Sequence, residues 1–240
     1  MCPPVITTQT MNTIANRILY EDNHLIIVNK LPSEIVQGDK TGDKCLLDDV
    51  KEYIKEKYDK PGNVFAGLVH RIDRPVSGAV VFAKTSKALS RMTVKVKDRD
   101  FRKTYLAIVK NHPPKQADVL EDYLVKNEKM NKSFVVPEGT KEAKLARLSY
   151  RVVGKSESFY LLEVELFTGR HHQIRCQLAH IGCPIRGDLK YGYPRSNPDG
   201  SISLHALRIA FEHPVTKVQI EVTAPLPEVT PWNQLSVDSL

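Results

Sequence analysis

Cysteine is scarce in this chain of 240 residues, and the four present, Cys2, Cys45, Cys176 and Cys183, contain no C-x-x-C pair. That excludes a disulfide-stapled scaffold and fits a reducing compartment, so a cytoplasmic location is expected. Long apolar runs are missing too. No stretch approaches the roughly 20 residues a helix needs to span a bilayer. Cys2-Pro3-Pro4 stands where a secretory signal would carry a basic start and an apolar segment. A membrane partner is therefore not expected. There is no internal repeat and no low-complexity block. Gly154-Lys155-Ser156 lacks the upstream glycine of a phosphate-binding loop, which leaves nucleotide hydrolysis without support. What remains is an ordinary globular composition, 41% hydrophobic and 26% charged, long enough for one large domain or two small subdomains.

Acidic residues are in deficit in one region. The net charge is +7, yet Lys84 to Lys155 alone holds 18 Lys and Arg against 8 Asp and Glu, so the rest of the chain is net acidic. A Lys-rich face can simply be solvated surface. Concentrated in the middle third, the charge also suits a polyanion, because each phosphate neutralised by Lys or Arg releases condensed counterions.

Against that background stands His70-Arg71-Ile72-Asp73-Arg74-Pro75-Val76-Ser77-Gly78. It sets a carboxylate between two arginines, closes on turn residues, and runs into the apolar strand Ala79 to Ala83. By itself this reads equally as an ion pair capping a turn or as a reactive group held on a loop anchored to a rigid element. A second segment, Thr168 to Asp188, supplies a complement. Arg175 within it is a candidate partner that holds Asp73 through two parallel hydrogen bonds and keeps it ionised.

The coarse pattern is α+β. Residues 1–16, with Pro3, Pro4 and several Thr, read as a loosely held lead-in, and residues 17–240 as one domain. Arg17–Tyr20 and His24–Asn29 read as strands. Leu46, Leu47, Val50 and Ile54 mark a helix over Cys45–Tyr58 with Asp43 as its cap, and Leu89, Met92 and Val96 mark another. Further strands are expected over Lys103–Val109, Ala143–Val153 and Phe159–Phe167. A helix over His172–Ile181 is stopped by Gly182, and Leu204–Phe211 with Lys217–Thr223 forms a closing hairpin. Asn111–Thr140 shows least regularity and reads as a loop-rich basic insertion.

At these residues the chain resembles the RluA family of RNA pseudouridine synthases. Their His-Arg-Leu-Asp signature matches His70 to Asp73, and Lys103-Thr104-Tyr105-Leu106-Ala107 resembles the basic-x-Tyr-x-Ala strand. Gly169-Arg170-His171-His172-Gln173-Ile174-Arg175 matches the Gly-Arg-x-His-Gln-Ile-Arg block. Pro184-Ile185-Arg186-Gly187-Asp188, Tyr191-Gly192, His205-Ala206 and Phe211-x-His213-Pro214 follow in order. The likeness covers roughly residues 17 to 227. It departs at Ile72 for Leu, a near volume-preserving swap, and at Val76 for Thr, which removes a hydroxyl but no reacting group.

The resemblance implies a bent, mostly antiparallel sheet flanked by helices with a cleft across its middle, as a catalytic domain without the S4-type RNA-binding domain many members carry. It implies isomerisation of specific uridines in ribosomal or transfer RNA, with no cofactor and no metal. Asp73, Tyr105 and Arg175 take the catalytic positions. Arg71 matches the arginine that enters the stack vacated by a flipped uridine. His70, Lys103, Arg170 and His172 are expected to contact RNA. RNA is the expected partner of a monomer with no obligate protein partner. A basic RNA-binding or ribosome-assembly factor on the same fold is the alternative, set against by the joint presence of Asp73, Tyr105 and Arg175. His172, Cys176 and His180, with Cys183 beyond, are zinc-ligand types, but three ligands strung over more than two helical turns cannot converge on one ion.

Overall fold

The computed structural model describes residues 13–38 and 42–234. Most of the expected lead-in therefore lies outside the described residues, while Ile14–Arg17 forms a single 3-10 turn directly ahead of the first strand. Fourteen regular elements follow: β1 (Ile18–Glu21), β2 (Leu25–Lys30), α1 (Leu46–Lys57), β3 (Gly67–Leu68), β4 (Ser77–Ala83), α2 (Ser86–Lys97), β5 (Phe101–Val109), β6 (Ala117–Asn127), β7 (Lys132–Val136), β8 (Lys144–Lys155), β9 (Tyr160–Leu166), α3 (Gln173–His180), β10 (Leu204–Glu212) and β11 (Gln219–Thr223).

The eleven strands make one mixed sheet in the order β1-β2-β4-β10-β5-β9-β8-β6-β7, with β11 on β10 and β3 on β4. Antiparallel pairing prevails, and β4 with β10 is the parallel pair. Strand β4 is buried along its whole length, so alternate residues serve two cores. Val80 and Phe82 pack with Leu46, Val50 and Ile54 of α1 and with Ile174 and Leu178 of α3. Ala79, Val81 and Ala83 pack with Ala88 and Met92 of α2 on the opposite face. Helices thus cover both faces at the centre, with α1 and α3 on the face that also buries Tyr105. The expected α+β class and mostly antiparallel sheet are what the chain forms.

Two local expectations need correction. Asp43 does not cap α1: Cys45 is the N-cap residue, its thiol lies 3.0 Å from Asp48, and Asp43 sits 3.5 Å from Arg74. The cap of α2 is conventional, with Thr85 Oγ1 accepting from the Ala88 amide at 3.1 Å. Asn111–Thr140 is not loop-rich. It contains the hairpin β6–β7, and β6 pairs in full register with β8 from Ala117 opposite Arg151 to Leu124 opposite Lys144.

Gly78 explains the Ser-Gly that closes the Asp73 loop. Its φ is +114°, and a Cβ there would come within 2.3 Å of the Ala206 carbonyl oxygen. Only glycine allows β4 to lie this close to β10, where Ser77 faces His205. Ser77 Oγ and His205 Nδ1 are 2.8 Å apart in the buried seam.

Candidate active site

Asp73 sits on the loop between β3 and β4, and two devices fix that loop. The Val76 amide donates to the Asp73 carbonyl at 3.0 Å, closing a turn over Arg74-Pro75. Beneath it the fully buried Lys30, last residue of β2, donates from Nζ to the carbonyls of Leu31, Arg74 and Val76 at 2.9, 3.0 and 2.6 Å. Burial pulls the Lys30 amine down to about 7, partly offset by the Glu34 and Asp73 carboxylates. In sequence, Lys30 directly follows the strand expected over His24–Asn29 and carries no mark of burial. In the fold it turns inward.

The Asp73 carboxylate is partly open, with 30% of its side chain exposed, whereas its neighbours are buried. Arg175 Nη1 donates to Asp73 Oδ2 at 2.9 Å, and His172 Nε2 stands 3.5 Å from the same oxygen. Among the described residues Oδ1 accepts no hydrogen bond, so one face of the carboxylate is held and the other is presented. The expected two-pronged grip on Asp73 is corrected. The guanidinium fork belongs to Asp188, with Nε to Oδ2 at 2.7 Å and Nη2 to Oδ1 at 2.9 Å. Asp188 is buried, and the sequence shows it only as one member of a motif, with nothing to tie it to Arg175. Burial disfavours the Arg175 charge, but Asp188 and then Asp73 outweigh it, and the guanidinium stays charged.

His172 adopts the left-handed conformation at the start of α3, with φ +52°. Burial drops its imidazole to about 3, so it is neutral at pH 7. Its Nδ1 lies 3.1 Å from the Tyr191 hydroxyl, which also accepts from the Ser133 amide at 2.8 Å. The hydroxyl also lies 3.3 Å from the Ser133 carbonyl as a donor, and because the Asp73 carboxylate only accepts, the imidazole proton that suits it is the one on Nε2. His171 stacks on His172 with ring centroids 3.8 Å apart and is held by Ser133 Oγ at 2.9 Å. Ser133 belongs to β7, so the hairpin that reads in sequence as an irregular insertion supports the site directly.

Tyr105 lies on β5, buried, on the face of the sheet that carries α3. Burial and then the Asp73 charge hold its phenol well above the usual range, so it is protonated at neutral pH. It is a poor base as it stands, and its chemistry there is that of an apolar ring with a hydroxyl proton. Arg71 is exposed and forms no ion pair among the described residues, free to reach outward. Lys103 is half-buried with its amine over the Phe101 ring at 5.9 Å, no carboxylate pairs with it among the described residues, and burial lowers its pKa. Arg170 Nε donates to the Leu145 carbonyl at 2.9 Å.

His70 is turned inward. Its Nε2 accepts from the Val81 amide at 3.3 Å, its ring packs on Phe101 at 5.1 Å, and burial lowers it to about 3. Cys176 Sγ donates to the Ser133 carbonyl at 3.3 Å, and burial raises the thiol to about 11, away from the thiolate a metal would bind. Among the described residues no group of three His, Cys, Asp or Glu is arranged to hold an ion. No helix among them is long and apolar enough to cross a membrane.

Comparison with known proteins agrees with this geometry. Residues 24–180 match the family described as RNA pseudouridylate synthase. The chain is 34% identical over 220 residues to the ribosomal large subunit pseudouridine synthase C of Buchnera aphidicola, covering 89% of this chain and 68% of that one. It is 31% identical over 222 residues to the ribosomal large subunit pseudouridine synthase D of Zymomonas mobilis, covering 88% and 69%. In fold it is similar to human RNA pseudouridylate synthase domain containing 4, with a TM-score of 0.77 at 22% identity over 92% of each chain. The chain therefore belongs to the RluA-type family of RNA pseudouridine synthases, which are isomerases.

Proposed function

We propose that Asp73 is the catalytic carboxylate of a uridine isomerase acting on ribosomal RNA of the large subunit. The reaction breaks the bond from C1′ to uracil N1, turns the base, and joins C1′ to C5. It needs a carboxylate beside sugar and base and a site from which uracil does not diffuse away. The observation that carries the reading is the asymmetry at Asp73: Arg175 and His172 face Oδ2, while Oδ1 takes no protein hydrogen bond among the described residues and belongs to a partly open side chain. A carboxylate oriented on one side by a fixed cation is placed to attack, or to stabilise developing positive charge, on the other.

Tyr105 supplies a buried ring for the base to rest on and a hydroxyl proton near Asp73. Because a paired uridine cannot reach a recessed carboxylate, the nucleotide is extruded, and the exposed Arg71 enters the vacated stack. The unpaired Lys103 amine and the remaining face of Arg170 meet phosphates. Large-subunit RNA is chosen over transfer RNA because the relatives of known substrate class carry that name.

The test is tritium release from large-subunit rRNA transcripts carrying 5-tritiated uridine, with transfer RNA transcripts in parallel. Wild type is expected to release tritium from the former, and Asp73→Asn to release none while binding the same RNA within a few-fold. Equal release by the mutant removes Asp73 from the mechanism, and binding without release by wild type favours a non-catalytic RNA-binding factor.

A further inference from the structure

Beyond Asp73, the segment that carries Asp188 has a second side. Ile185 pairs with Val109 and faces the core shared with α1 and α3, and Asp188 turns to Arg175. Arg186 between them points away, into a recess of ≈ 630 Å³ lined by Lys110, Phe159, Tyr193, Arg195 and Asn197 among others. Arg186, Lys110 and Arg195 are cationic, and none of the three forms an ion pair among the described residues. The Arg186 guanidinium is held in place by Asn197 Oδ1 at 2.7 Å and lies over the Phe159 ring at 5.6 Å. Asn197 is itself packed on Gly187, where a Cβ would come within 2.8 Å of its side chain.

Cations around aromatic rings, without neutralising carboxylates, are how single-stranded nucleic acid is bound: bases stack on the rings and phosphates meet the charges. We propose that this recess, on the sheet face away from Tyr105, holds a single-stranded nucleotide of the RNA substrate, its base stacked on Phe159 and its phosphate at Arg186, Lys110 and Arg195. The proposal rests on the reading of the protein as an enzyme of RNA. It adds an RNA-binding point whose Arg186 stands two residues before Asp188 in sequence but turns to the other side. The volume is ample for one nucleobase and its ribose.

The test is binding of a fluorescent single-stranded oligouridine 12-mer RNA at several salt concentrations. Lys110→Gln with Arg195→Gln is compared with a charge-matched control outside the basic middle segment, Lys55→Gln with Lys60→Gln, both exposed. The recess pair is expected to flatten the slope of log K against log salt by about 1.4, roughly 0.7 for each phosphate of a single strand that is no longer neutralised. The control pair is expected to leave slope and affinity unchanged. Phe159→Leu keeps apolar bulk and charge, and should weaken binding about fivefold or more, the low end for one stacked base, with the slope intact.

Equal effects of the two charge pairs, or no effect of Phe159→Leu in a protein that unfolds at the wild-type temperature, overturn the proposal. So does binding of uridine monophosphate alone with the same dependence on the recess residues, which makes this a mononucleotide site. These readouts are independent of tritium release, so a failure of the recess and a failure of the catalytic reading are told apart.

Discussion

Arg175 carries two carboxylates that do different work. Asp188 is buried with it and takes the fork, while Asp73 is partly open and takes a single hydrogen bond. Removing Asp188 strands a buried guanidinium, and breaking a buried pair in this way typically costs about 3–5 kcal/mol. Asp188→Ala should therefore lose about that much in urea unfolding, and tritium release should fall because Arg175 is no longer aimed. An unchanged urea midpoint would mean that Arg175 needs no anchor. The identities of Asp73, Tyr105 and Arg175 are legible in the sequence because each sits in a dense motif. Their pairing is only half legible. A guanidinium offers the same fork to any carboxylate, and the choice of Asp188 over Asp73 depends on how α3 and the turn at Gly187 are brought together. The inward Lys30 is hidden for a similar reason: its three acceptors are backbone carbonyls, which leave no mark in sequence.

At the scale of elements, strands with two buried faces are plain in the sequence and the edge hairpin is not. Strand β4 is an unbroken apolar run from Ala79 to Ala83, rich in β-branched and aromatic residues. In β6 the buried residues are Leu120 and Leu124, four apart, with Glu121 and Asp122 between them, so neither the strand nor the helix period stands out. Pairing with β8 and β7 makes it a strand, and that is a tertiary fact. One route from the hairpin to His172 runs through the Tyr191 hydroxyl. Tyr191 accepts from the Ser133 amide and contacts His172. Tyr191→Phe leaves the buried Ser133 amide and His172 Nδ1 unsatisfied, at about 1–3 kcal/mol for a lost partner. The expected result is faster hydrogen exchange at the Ser133 amide and a loss of tritium release greater than the loss of RNA affinity. Unaltered exchange at that amide would show that the Tyr191 hydroxyl does not hold it.

Across the whole molecule, three imidazoles that desolvation keeps neutral, the buried His172 and His205 and the half-buried His70, tie stability to pH. Burial brings His70 and His172 to about 3 and His205 to about 4, so all three are neutral in the native protein near pH 5. They serve separate contacts: His70 against β4 and β5, His172 between Asp73 and Tyr191, and His205 in the seam of β4 and β10 beside Trp232. In the unfolded chain each titrates near 6.5. Between about pH 4 and 6.5 the unfolded state thus binds more protons than the native one, up to about three at pH 5, and by linkage stability falls as pH is lowered through that window. Above pH 7 all three are neutral in both states and add no slope. Glu21, brought to about 2 with Lys57, Lys84, Tyr58 and Tyr53 outweighing its burial, extends the decline below pH 4.5. Because the imidazoles brace different parts of one sheet, acid should lower a single cooperative transition rather than detach one element. Urea titrations from pH 7 to pH 5 should show the midpoint falling steadily, and His205→Gln should shallow the fall by about one proton. A midpoint that stays level over this range would mean that the imidazoles find protons in the folded state, against the burial that holds them neutral.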